Sequence, residues 1–226
     1  MAISLVQIAN DALATLGEQP IVNLDKNNAT STAILLRTKI PLVQRAILME
    51  ADWNCARRIA KLAKIANVRK RGYEYTYQLP TDPECLRIVQ ISVGEGKPFI
   101  DMNAYYNHNN GTPASVWDRD DNTLLCDSDT VWIKYTALIS PSEFDPMLAS
   151  AFSAQLAAEL AYAIPASASL GDFLTQIAKR KLAKAKSRNA LDRNILMPEG
   201  DVIAARYYNA DRHVRVDMSE EMEENG

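Results

Sequence analysis

The chain has 226 residues, 47% hydrophobic and 23% charged, with a formal net charge of −3. That length and balance exclude a collagen-like or disordered chain and fit one large globular domain or two small ones. The three cysteines, Cys55, Cys85 and Cys126, are too scattered for a disulfide framework or a metal-ligand motif, and read as reduced thiols in a cytoplasm-like compartment.

The first predicted helix covers about 5–16. Ser4 and Gln7 form a capping box, Leu5, Ile8, Ala12 and Leu16 line one face, and Gly17 supplies the stop. This segment has no basic start, so no secretory signal is expected. A loop with Pro20 follows. A second helical stretch covers about 30–51, with Leu35, Leu42, Ala46, Met49 and Trp53 as its stripe. Pro41 lies inside it and predicts a kink or a break. Residues 55–66 place Ile59, Leu62 and Ile65 on one side, which fits a short helix or an extended arm.

From Gly72 the hydrophobic period shortens to two. Tyr73, Tyr75, Tyr77 and Leu79 alternate with polar residues and read as a strand. Further strands are expected at 86–93, 115–118, 123–127 and 130–136, with a hairpin turn over 119–122. Many short strands in one stretch predict a small sandwich or barrel. Residues 145–164 then form a nearly apolar helix. Asp145 caps it, Pro146 opens it, and Phe152, Leu156 and Leu160 recur every four residues. Glu159 and Gln155 near its middle argue against a membrane span and for burial in protein. A last helix covers about 170–190 and opens at Ser169 and Asp172. Leu174, Ala178, Leu182 and Ala185 form its apolar stripe. Beyond Asn194 no period remains, and the final residues are acidic.

Charge runs in blocks. Residues 37–71 carry a net +8, 72–150 a net −8, 151–215 a net +4, and 216–226 a net −5. Such blocks are either solvated faces or complementary patches between copies or partners.

No catalytic constellation, metal site or cofactor site can be assembled from the residue pattern. His108 and His213 belong to no metal or triad motif and read as surface histidines. Gly94-Glu95-Gly96-Lys97 lacks the spacing of a phosphate loop and reads as a hairpin turn. Asp118, Asp120 and Asp121 lack the glycine and distal glutamate of a calcium loop, so solvated turn carboxylates are expected. Lys179, Lys181 and Lys184 either contact nucleic-acid phosphates or a protein partner, or form the wet face of their helix. Arg206, Tyr207, Tyr208, Arg212 and Arg215 combine residue types enriched at binding hot spots in a segment without a core of its own. A tail packed on its own domain is the alternative.

The order of motifs resembles the tail tubular protein A family, the head-to-tail adaptors of short-tailed bacteriophages. The resemblance is carried by Leu16-Gly17, by Trp53-Asn54 followed by Ala56, Arg58 and Leu62, and by Tyr75, Tyr77, Leu79-Pro80 and Asp82. Leu86-Arg87-Ile88, Tyr135, Asp145-Pro146 and the run from Leu156 to Tyr162 complete it. It covers about residues 3–193. Cys55, where an aromatic is expected, and the added Pro83-Glu84 depart from it.

The resemblance implies an α+β fold in which an antiparallel helical bundle (1–71 and 137–194) forms rings. A small β-sandwich or barrel (72–136) is inserted in it and faces the tail, and 195–226 form a C-terminal arm and acidic tail. It implies a non-enzymatic virion protein without cofactors at the head–tail junction, assembled in the host cytoplasm. Its partners would be the portal protein, the tail nozzle protein and further copies of itself in a ring, usually a dodecamer. Genomic DNA would pass through the channel without sequence specificity, and no membrane is involved. The arm would dock on the portal or a neighbour through the tyrosines and arginines of 206–215. Two alternatives remain: a tail-associated cell-wall hydrolase, needing a carboxylate pair for which Glu74 and Glu143 are candidates, and a nucleic-acid-binding module using the basic helix.

Overall fold

The computed structural model describes residues 3–27, 30–96, 99–101, 117–164 and 167–192. They belong to one compact unit, Met1–Asp192. Helix α1 is Leu5–Leu16, with Ser4 and Gln7 in a reciprocal capping box and Gly17 left-handed at φ 76°. Only glycine takes that conformation without cost, so the sequence stops the helix there. Helix α2 is Ser31–Met49, capped by Thr30. Pro41 lies inside it and does not break it. Its ring is on an exposed position, where the carbonyl it deprives of a partner can turn to water.

Two strands, β1 (Arg57–Lys61) and β2 (Ala63–Ile65), replace the expected helix or arm at 55–66. Their helix-like spacing is overridden by pairing, of β1 with a strand far along the chain and of β2 with a nearby one. β3 is Tyr75–Gln78, β4 Cys85–Val93, β5 Ile100–Asp101, β6 Trp117–Asp120, β7 Thr123–Cys126 and β8 Val131–Ala137. They form two open antiparallel sheets, ordered β1-β8-β4-β5 and β2-β3-β7-β6, so the strands do not close into a barrel. The sheets begin at Arg57, upstream of the expected boundary at residue 72. β1 and β8 run in register from Arg57 opposite Thr136 to Lys61 opposite Trp132. Just outside that pair, the Ala137 N–H donates to the Ala56 carbonyl at 2.8 Å. The β6–β7 hairpin turns at Asp121, whose φ is 52°.

A 3₁₀ turn, Pro141–Glu143, has its own capping box between Ser140 and Glu143. Helix α3 follows as Pro146–Ala161. The Asp145 carboxylate accepts from the N–H groups of Met147 and Leu148, both at 2.9 Å. Helix α4 is Ala168–Leu191; its cap is Ser167, two residues ahead of the expected Ser169. Asp172 instead accepts from the Tyr162 hydroxyl at 2.9 Å.

The fold is therefore mixed α+β: among the described residues, four helices and two antiparallel sheets share one hydrophobic core. Helix α3 is its axis. Buried positions lie all round it, from Leu148 through Phe152 and Leu156 to Leu160, and it packs against α1, α2 and α4. Its small residues let those helices approach. Its one charge is neutralised by an ion pair of Glu159 with Lys39 of α2 at 3.0 Å. The stripe Leu174, Ala178 and Ala185 of α4 is buried as expected, with Gly171 and Asn189 extending it.

Asn189 also fastens the end of α4 to the α2–β1 junction. Its side chain accepts from the Asn54 N–H at 2.8 Å and donates to the Asp52 carbonyl at 2.9 Å. Asn189→Ala leaves both backbone groups without that partner at a nearly buried site. The expected loss is about 2 kcal/mol, read as a lower urea midpoint at unchanged slope. A midpoint equal to wild type would show that water replaces the amide.

Candidate interaction surface

Helix α2 has two apolar faces. Ala33, Leu36, Ile40, Val43 and Ile47 recur at helical spacing and are buried. The stripe expected from sequence lies largely on the other side. Leu42 is 61% exposed and Met49 50%, with Ile34 and Ala46 also exposed. Only Trp53, beyond the helix, is fully buried from that set, and Leu35 is half-buried. The surplus of apolar positions on α2, more than one face can hold, is the sequence signal for this second surface.

Between α2 and the α3–α4 pair this surface deepens into a cleft of about 250 Å³, lined by Leu42, Val43, Ala46, Ile47, Gln155 and Leu182. An ion pair stands at each end. Lys39 meets Glu159 at 3.0 Å, and Lys186 of α4 meets Glu50 at 2.7 Å. In both pairs the carboxylate is the more exposed partner, at 42% against 31% and 51% against 37%. The cleft is thus lined mainly by apolar side chains, with a neutral ion pair at each end of its rim.

The outer side of α4 carries Lys179, Arg180, Lys181 and Lys184, all exposed. None of the ion pairs among the described residues takes them up; Lys186 and Arg188 are paired with Glu50 and Asp192. Phe173 stands on the same helix, 62% exposed. Spacings of seven and eleven residues put Phe173, Arg180 and Lys184 on one flank.

The other sequence candidates have structural occupations. Asp118 and Asp120 hold Arg71 at 2.8 and 3.0 Å, and Asp120 also accepts from Lys70 at 2.9 Å. The Lys70 ammonium holds the Asp120 carboxyl below the usual aspartate range. These carboxylates are ion-paired, not merely solvated. Glu143 closes its capping box and accepts from Arg58 at 3.2 Å. The left-handed Gly94 and Gly96 belong to the turn after β4. Among the described residues, no group of three or more His, Cys, Asp or Glu could hold a metal ion, and no helix is long and apolar enough to cross a membrane. His108, His213, Arg206, Tyr207, Tyr208, Arg212 and Arg215 lie outside the described residues.

The thiols are poor nucleophiles. Burial pushes the Cys85 thiol up to about 11 and raises those of Cys126 and Cys55. At pH 8 the folded protein is expected to react slowly with a disulfide reagent at Cys85 and Cys126, and all three thiols are expected to react promptly in denaturant. Rapid labelling of Cys85 in the folded state would contradict its burial.

These features define a mixed α+β unit with a cleft beside α2 and a basic helix at its surface. The chain matches no protein-family model and no curated protein.

Proposed function

We propose that the chain is a structural virion protein, a head-to-tail adaptor that forms a ring between the portal and the tail nozzle of a short-tailed bacteriophage. In this reading the helical layer around α3 is the ring-forming body, and the strands from Arg57 to Ala137 form an insertion directed at the nozzle. Residues 195–226 are the arm that meets the portal or a neighbouring copy. The observation that carries it is the second apolar face of α2. A helix with one face in the core and the other at the surface is suited to a subunit that completes its burial against another chain. The motif order from Leu16-Gly17 to the Leu156–Tyr162 run points the same way.

The test is electron microscopy of the full chain mixed with the portal protein encoded in the same genome. Rings coaxial with the portal, of twelve-fold symmetry, are the expected result. Absence of both rings and portal binding would overturn the proposal. Zymography on the same preparation bears on the hydrolase alternative: lysis abolished by one carboxylate substitution would replace the structural reading.

The exposed cations of α4 favour a second reading, a nucleic-acid contact through phosphates. Lys181→Glu with Lys184→Glu should then weaken duplex binding and flatten its salt dependence. Salt-independent or unchanged binding would remove it.

A further inference from the structure

We propose that the outer face of the β1-β8-β4-β5 sheet is a platform for single-stranded nucleic acid, with bases stacking on Trp132 and Phe99 and phosphates meeting Lys61 and Lys134. This site is separate from the basic side of α4, and it holds or fails independently of the adaptor reading.

Register defines the face. Ile133 of β8 lies between Ala60 of β1 and Ile91 of β4, and both isoleucines are buried. Cross-strand partners share a face and successive residues alternate, so the rows on either side of Ile133 turn outward. One row is Lys61, Trp132 and Ser92, and the other is Ile59, Lys134 and Gln90. Trp132 is 37% exposed and Ile59 57%. Phe99, just before β5, belongs to the same face, because the Lys134 ammonium lies 4.3 Å from the centre of its ring. β4 separates β8 from β5, so the two aromatic residues stand on chain segments about 10 Å apart. Ser92, on β4 between them, is too short to screen one ring from the other.

The chemistry selects the occupant. The Lys61 ammonium lies 6.0 Å from the centre of the Trp132 ring, so each ring has a cation beside it. No ion pair among the described residues takes up Lys61 or Lys134. The one acid at a register position of these rows is Asp101, opposite Gln90 at the β5 edge. An acidic peptide would meet the lysines and leave the rings bare, and a duplex hides the faces of its bases. An unpaired strand offers a phosphate beside every stackable base, which is the pairing this face presents.

The experiment is fluorescence anisotropy of a labelled oligothymidylate of about 16 nucleotides, titrated with the full chain over a salt series. Binding should weaken as salt rises, and unlabelled oligothymidylate should compete far better than polyglutamate or a duplex of equal length. Trp132→Ala should melt close to wild type yet lose about tenfold in affinity at an unchanged salt slope. Lys61→Gln with Lys134→Gln should reduce the slope by about 1.4, roughly 0.7 for each cation removed. Lys181→Glu with Lys184→Glu should change affinity far less than Trp132→Ala does. No binding at low salt, or binding by Trp132→Ala equal to wild type, would overturn the platform. So would a loss confined to the Lys181 and Lys184 variant, which would place the contact on α4. Polyglutamate or duplex competing as well as oligothymidylate would also overturn it, since the strand would then be held by charge alone.

Discussion

Leu156→Asp is expected to abolish folding. Leu156 is fully buried at the middle of α3, inside the core that α1, α2 and α4 close. The substitution removes a leucine worth about 2–5 kcal/mol in such a site. It also forces a carboxylate out of water, or makes it take up a proton to stay buried. The combined loss is comparable to the whole stability of a typical domain, about 5–15 kcal/mol. The variant should accumulate as insoluble chain or, if recovered, show no cooperative melt by circular dichroism. A soluble Leu156→Asp protein that melts sharply near the wild-type temperature would show that α3 is not the axis of the core.

Trp53→Ala should be the next most damaging change. Trp53 is fully buried just after α2, and its indole N–H donates to the Ile47 carbonyl at 2.8 Å. Removing the ring leaves a large void where the helices meet the first sheet, at a cost of about 3–5 kcal/mol. For a unit of this size that lowers Tm by about 6–20 °C. The same carbonyl still accepts from the Glu50 N–H at 3.3 Å, so the effect is mainly lost packing. Trp132, 37% exposed on β8, provides the contrast, and its replacement by alanine should cost under about 1 kcal/mol. Equal effects at the two tryptophans would contradict the burial.

Helices α1 and α3 were legible because their ends are set by local chemistry: a capping box at the start and a left-handed glycine at the stop of one, an aspartate cap and a proline at the start of the other. The strand alternation around Tyr75 and Tyr77 was equally local. Residues 57–61 were not legible, since their partner β8 lies more than 70 residues along the chain, and 63–65 pair with the nearby β3 through a segment too short to show a period of two. Helix α2 was legible as a helix but not in its orientation. Both faces are apolar, and which one faces α3 depends on packing rather than on spacing. That ambiguity also hid the cleft, because Leu42 and Ala46 read as core. The basic side of α4 was plain in the sequence, since consecutive lysines and arginines can only face water. The cleft-facing position of Leu182 was not, because it shares its stripe with fully buried neighbours.

The pairing of β1 with β8 has an architectural consequence. Chain entry into the sheets at Ala56 and exit at Ala137 sit side by side, joined by one backbone hydrogen bond of 2.8 Å. Everything between leaves and rejoins the helices through a single two-stranded stem. Lengthening a hairpin beyond that stem, or grafting a peptide tag onto the β6–β7 turn, adds chain without rethreading any helix. The far end of the sheets is thus where this protein can be extended or exchanged at least topological cost.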